Sequence, residues 1–118
     1  MNGIKFFLDT NAIIALLNGN TTIEQNLSEA LWIGTSAICV LEFLSFRSLL
    51  KEDKIIFDIF LKRIEVIEVP EEIPTLKKIA SFIQDTRLKL PDAIIAAQAI
   101  QNNTVLISKD HHFNRIMD

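Results

Sequence analysis

Four acidic side chains stand in apolar company. Asp9 follows Phe6-Phe7-Leu8, and Glu42 lies inside Ile38-Cys39-Val40-Leu41-Glu42-Phe43-Leu44. Asp92 sits in Leu90-Pro91-Asp92-Ala93-Ile94-Ile95, and Asp110 follows Val105-Leu106-Ile107-Ser108-Lys109. Most other acids, such as Glu52/Asp53 and Glu71/Glu72, lie in plainly solvated runs. Burying an ionised carboxylate without a partner is costly or forces it to take up a proton. A bound metal ion offsets that cost. The donors are hard oxygens with no His or Cys cluster beside them, which points to Mg²⁺ or Mn²⁺ rather than zinc.

Each acid also has an ordinary explanation. Asp92 falls in a first helical turn, where the helix dipole favours a negative charge. Asp9 can be the N-cap of the helix that follows it. Asp110 can open a turn, and Glu42 can pair with Arg47 or a distant lysine. Taken together the four are harder to explain singly, because all lie at strand ends or in apolar helices. His111 and His112 are adjacent, face different ways and read as part of a solvated loop. Cys39 reads as a core residue.

The elements that position these acids alternate between strand and helix. Residues 4–8 are a short apolar run and predict a buried strand. Residues 10–18 predict a helix ended by Asn18-Gly19-Asn20. Thr21 or Thr22 is expected to cap the next helix, with Glu24 or Gln25 following. Residues 33–35 predict a second strand. Residues 36–50 predict a helix that is apolar nearly all round and therefore buried. Residues 53–63 predict an amphipathic helix whose apolar stripe is Ile55, Ile56, Ile59 and Phe60. Residues 64–69 predict a strand near a sheet edge. Pro70 and Pro74 open a helix to about Arg87, and Pro91 opens another to about Asn102. Residues 104–108 are the last clear strand. This pattern predicts an α/β fold with a short parallel sheet covered on both faces. In such sheets ligands bind at the carboxyl ends of the strands, where Asp9 and Asp110 stand.

The 118 residues suit one domain spanning 1–118, and 49% hydrophobic content is enough for one core. Asp9 and Asn11 interrupt the first apolar run too early for a signal peptide. No apolar stretch reaches the roughly 20 residues that span a bilayer. The single cysteine excludes an internal disulfide framework, so a reducing, cytoplasmic setting and no membrane association are expected. Glycine is too scarce for a Gly-rich phosphate loop. With a net charge of −3, any binding of nucleic acid must use a local basic patch, a metal or an oligomer.

At the acidic residues the chain resembles the PIN-domain family, and within it the VapC-type toxins of toxin–antitoxin pairs. Leu8-Asp9-Thr10-Asn11 matches the family's opening motif. Ser36-Ala37-Ile38-Cys39-Val40-Leu41-Glu42 resembles the second, Leu90-Pro91-Asp92-Ala93-Ile94-Ile95-Ala96-Ala97 the third, and Leu106-Ile107-Ser108-Lys109-Asp110-His111-His112-Phe113 the fourth. The motifs occur in the family's order over almost the whole chain. The resemblance implies a three-layer α/β/α fold with a parallel sheet of four or five strands. It implies that Asp9, Glu42, Asp92 and Asp110 are catalytic and bind Mg²⁺ or Mn²⁺, with Asn11 and Ser108 supporting them by hydrogen bonds. It also implies hydrolysis of single-stranded or looped RNA, a homodimer, and a protein antitoxin whose C-terminal segment covers the acidic groove. Arg87, Lys89 and Lys109 flank the third and fourth motifs as candidate RNA contacts. Family members often continue past the fourth motif into a final strand, which the end at Asp118 leaves missing or minimal.

Three other readings compete. A phosphatase of the haloacid-dehalogenase kind needs an aspartate where Asn11 stands. A receiver-type signalling domain needs an acidic pair after the first strand and an aspartate ending a middle strand, and the chain has neither. A catalytically silent PIN fold serving as a binding or scaffold module is the remaining alternative.

Overall fold

A computed structural model describes residues 3–108. Four strands and six helices alternate along these residues: β1 (Lys5–Leu8), α1 (Thr10–Leu17), α2 (Thr21–Leu27), β2 (Trp32–Ser36), α3 (Ala37–Leu44), α4 (Lys51–Leu61), β3 (Glu65–Ile67), α5 (Ile73–Thr86), α6 (Leu90–Gln101) and β4 (Val105–Ile107). All strands are parallel, in the order β3-β2-β1-β4. Parallel crossovers are right-handed, which sets α1 to α4 on one face and the returning pair α5 and α6 on the other. The expected α/β layering with a short parallel sheet is thus observed, with four strands among the described residues.

Strand β1 is central, and its Phe6, Phe7 and Leu8 are buried because both sheet faces are covered. Residues 64–69 reduce to the short β3, an edge strand as the alternation of charged and apolar residues predicted. Gly34 in β2 lies beneath the indole of Trp32, where an added Cβ would come within 2.0 Å of the ring. Only glycine leaves the backbone clear there.

Helices α1, α2 and α3 begin where a side chain satisfies a free N–H group. Asn20, rather than Thr21 or Thr22, caps α2 by accepting from the Ile23 N–H at 3.0 Å. The preceding Gly19, at φ 91, makes the reversal that brings Asn20 to that position. Ser36 caps α3, and Pro74 occupies the first turn of α5, where its missing N–H is harmless.

Two expectations fail. The helix predicted over 36–50 stops at Leu44, and it is not buried all round: Cys39 and Phe43 face the core while Leu41 and Leu44 are exposed. The Ser45 hydroxyl donates to the Leu41 carbonyl at 2.6 Å, the kind of local bond by which serine competes with helix continuation. In α4 three residues of the predicted stripe, Ile55, Ile56 and Ile59, are turned outward, and only Phe60 of that stripe packs against the core. Ile55 and Ile59 are 52% and 53% exposed, while Phe57 is fully buried and stacks on Phe43.

Candidate active site

The carboxyl ends of β1 and β4 lie side by side, and Asp9 sits at their junction. Its backbone N–H donates to the Ile107 carbonyl at 3.3 Å, extending the pairing of the two strands. Its side chain is only 3% exposed. One carboxylate oxygen, Oδ1, accepts from the Ala12 N–H at 2.7 Å and so caps α1. The other, Oδ2, accepts from the Ser108 hydroxyl. The capping role anticipated for Asp9 is therefore present, together with a second bond that capping does not require.

Glu42 reaches the same region from α3. The Thr10 hydroxyl donates to its Oε1 at 2.5 Å, tying the first turn of α1 to the middle of α3. Asp92 enters from the first turn of α6 and is partly buried. Asp9, Thr10, Asn11, Glu42, Phe46, Asp92 and Ile95 line one open pocket of about 280 Å³. The structure thus brings Asp9, Glu42 and Asp92 to a single cavity at the carboxyl end of the sheet, with the exposed Asn11 at its rim.

Below the pocket the packing is tight. The Leu8 carbonyl accepts from the Thr35 hydroxyl at 2.7 Å, and Cys39 Sγ lies 3.7 Å from the same oxygen. Burial pushes the Cys39 thiol above its ordinary range. Bonds from Thr35, Thr10 and the Ser36 backbone act the other way, and the charge of Asp9 adds to the rise. The thiol is a neutral part of the core floor.

The lining offers carboxylate and amide oxygens, with no His or Cys among the pocket residues. That donor chemistry fits a hard cation such as Mg²⁺ or Mn²⁺. Among the described residues, no three His, Cys, Asp or Glu side chains are drawn together as a finished cation cage. Asp9 and Glu42 are instead held by Ser108, Ala12 and Thr10.

The remaining candidates fall differently. Asp110 and Lys109 lie outside the described residues. Arg87 is the left-handed C-cap of α5 and Lys89 the N-cap of α6. Both are exposed, and neither lines the pocket. Sequence reasoning left Thr10, Phe46 and Ile95 without a role. Thr10 was within the quoted motif but indistinguishable from an ordinary helix-start threonine. Phe46 falls within the helix predicted over 36–50, which ends at Leu44 instead.

Residues 6–118 match the model of the PIN domain family. No protein of curated function matches the chain by sequence. Several solved structures share its fold. The VapBC2 complex from Rickettsia felis bound to a promoter DNA fragment is 21% identical, with 95% of this chain and 92% of that chain covered at a TM-score of 0.76. A toxin–antitoxin complex from Klebsiella pneumoniae is 26% identical, with coverage of 91% and 88% and a TM-score of 0.73. VapBC-1 from nontypeable Haemophilus influenzae is 25% identical, with coverage of 98% and 94% and a TM-score of 0.67.

Proposed function

The chain belongs to the PIN-domain family, and from that premise we propose that it is a metal-dependent endoribonuclease and the toxin of a toxin–antitoxin pair. The observation that carries this reading is the pocket that Asp9, Glu42 and Asp92 share at the carboxyl end of the sheet. PIN domains are generally nucleases, and similar chains come from toxin–antitoxin complexes.

In this reading Asp9, Glu42, Asp92 and Asp110 hold Mg²⁺ or Mn²⁺. Bound there, the ion supplies charge withdrawal from the scissile phosphate and a bound water of lowered pKa. The protein's own part is positioning. Ser108 and the Ala12 N–H fix both oxygens of Asp9, so the carboxylate presents its remaining lone pairs in one orientation. Thr10 holds Glu42 in the same way, and Asn11 offers an amide at the rim. Arg87, Lys89 and Lys109 contact RNA phosphates further along the strand.

The partners follow from surface and charge. Leu41, Leu44, Leu50, Ile55 and Ile59 on and around α3 and α4 are large apolar residues left exposed, and apolar surface of that kind commonly finds a partner, which supports a homodimer. An antitoxin segment carrying an arginine into the acidic pocket would suppress activity by pairing with the carboxylates.

A silent PIN fold acting as a binding module is the second reading, favoured because among the described residues no three His, Cys, Asp or Glu side chains are grouped closely enough to hold a cation. Incubating purified protein with a broad RNA panel decides between them. Cleavage with Mg²⁺ or Mn²⁺ that EDTA abolishes is the expected result. Intact RNA at all enzyme concentrations with both metals would establish the silent module.

A further inference from the structure

The acidic pocket has one aromatic wall that no carboxylate or its supports account for. Phe46 lies just past the end of α3 and is 44% exposed. Among the described residues it is the only ring lining the acidic pocket. It also lines the neighbouring, largely apolar-walled groove, with Ile14, Leu17, Phe43, Leu49 and Ile56 beside the polar Asn18, Ser48 and Asp53.

Its position is fixed from beneath. The ring meets Phe43 edge to face, with centroids 6.3 Å apart, and Phe43 stacks on the buried Phe57 at 3.9 Å. The Phe46 N–H donates to the Phe43 carbonyl at 3.4 Å, and its own carbonyl accepts from the Leu49 N–H at 3.3 Å. An exposed phenyl ring anchored beside carboxylates has no oxygen with which to ligate a hard divalent cation. It offers a flat apolar face.

RNA is short of attraction at this place. The chain carries a net charge of −3, and the pocket is itself acidic. Phosphate contacts, which dominate most nucleic-acid affinity, are opposed here except through a cation. Stacking of a base on an aromatic ring needs no charge and tolerates any sequence. Resting on the nuclease reading above, we propose that Phe46 is a positioning residue that stacks a nucleobase of the RNA strand and so seats the adjoining phosphate over Asp9, Glu42 and Asp92.

The test uses Phe46→Leu, which keeps apolar bulk against Phe43 but removes the ring, and Phe46→Trp, which keeps a ring. Steady-state cleavage of a short single-stranded RNA in Mg²⁺ should show KM raised about 5-fold or more in Phe46→Leu, the worth of one stacked base. Its kcat should stay near wild type, the signature of lost uniform binding. Phe46→Trp should keep the wild-type KM. The chain has one tryptophan, Trp32, and no tyrosine. Trp32 pairs with Lys5 at the start of β1, the opposite end from Asp9. Wild-type protein is therefore the control for a second reading: the fluorescence of the Phe46→Trp indole on mixing with the RNA, before turnover. Quenching beyond the wild-type change is expected. A wild-type KM in Phe46→Leu with no added quenching in Phe46→Trp overturns the stacking role and leaves the nuclease reading intact. If wild-type protein cleaves nothing, the nuclease reading falls, and quenching alone decides whether bases stack at Phe46. Should Phe46→Leu fail to fold by thermal melting, the Phe46→Trp quenching again decides.

Discussion

The acidic pocket and the apolar groove adjoin at Phe46, but they are assembled by different forces. In the pocket, Asp9 is fixed by a backbone N–H and a serine hydroxyl, and Glu42 by a threonine hydroxyl. In the groove, of about 330 Å³, the apolar lining of Ile14, Leu17, Phe43, Leu49 and Ile56 stands beside Asn18, Ser48 and Asp53, and those five apolar side chains have no directional bonds to make. Polar groups in a poorly solvated place need specific partners at specific angles. Apolar groups need only to leave water, so their arrangement depends on bulk. The pocket should therefore respond to changes that keep shape and alter charge, and the groove to changes of volume.

The sharpest contrast lies beneath the groove. Phe57→Ala should destabilise the fold by about 3–5 kcal/mol, because a fully buried ring leaves a cavity. The double variant Ile55→Ser/Ile59→Ser, one turn away on the outward face of α4, should change monomer stability by no more than about 0.5 kcal/mol per site. It should instead lower the mass measured by light scattering if that face is the dimer contact. Equal losses in urea melts for both variants would erase the distinction between core and outer face.

Asp9→Asn tests the pocket at constant shape. The amide oxygen can still cap α1, and the amide NH₂ can donate to the Ser108 hydroxyl oxygen. Melting in EDTA should therefore be equal to or higher than wild type, since one of several like charges is gone. Wild type should gain about 2.7 kcal/mol at Mg²⁺ or Mn²⁺ concentrations 100 times the dissociation constant. Asp9→Asn should lose most of that gain, along with cleavage. A full metal response in Asp9→Asn would reduce Asp9 to a helix cap.

A smaller effect is expected one bond further out. Ser108→Ala leaves every carboxylate in place and removes one donor to Asp9. Apparent metal affinity, read from thermal shifts across a Mn²⁺ titration, should fall by about 10- to 100-fold, the range for a partner that orients a ligand. An unchanged titration would show that the Asp9–Ser108 bond serves strand pairing alone.

Cys39 gives the smallest signal and reports on how dry the pocket floor is. Burial raises the pKa of its thiol in the folded protein. The unfolded chain releases that proton above about pH 8.5, so at alkaline pH the folded state binds more protons than the unfolded one. The associated stability is complete below about pH 8.5 and is lost as the pH rises toward the folded pKa, at no more than about 1.4 kcal/mol per unit. Cys39→Ala should show a correspondingly shallower alkaline decline in chemical denaturation. Identical slopes would mean that the thiol is not shielded.

Part of this architecture was legible in the residues because it depends on near neighbours. The apolar run before Asp9 predicted a buried strand, and Pro91 predicted a helix carrying Asp92 in its first turn. Both are local consequences of periodicity and helix-start chemistry. The acids were singled out by a mismatch between charge and surroundings that needs no coordinates. Other features were not legible. In α4 apolar residues occupy more than one face, so periodicity alone could not say that Phe57 points inward and Ile55, Ile56 and Ile59 outward. Asn20, Thr21 and Thr22 are all competent caps, and the turn at Gly19 selected the first.

Local pattern by itself determined the alternation of strand and helix, the parallel sheet and the identity of the acids, since each rests on backbone period or side-chain polarity. Tertiary structure alone decided which distant groups meet. Thr10 bonds to Glu42 across 32 residues, and Ser108 to Asp9 across 99. Those bonds exist because strand order puts β4 beside β1 and α3 packs against α1. Strand neighbours and helix contacts are settled by burying apolar surface over the whole chain, a collective quantity that no single motif encodes.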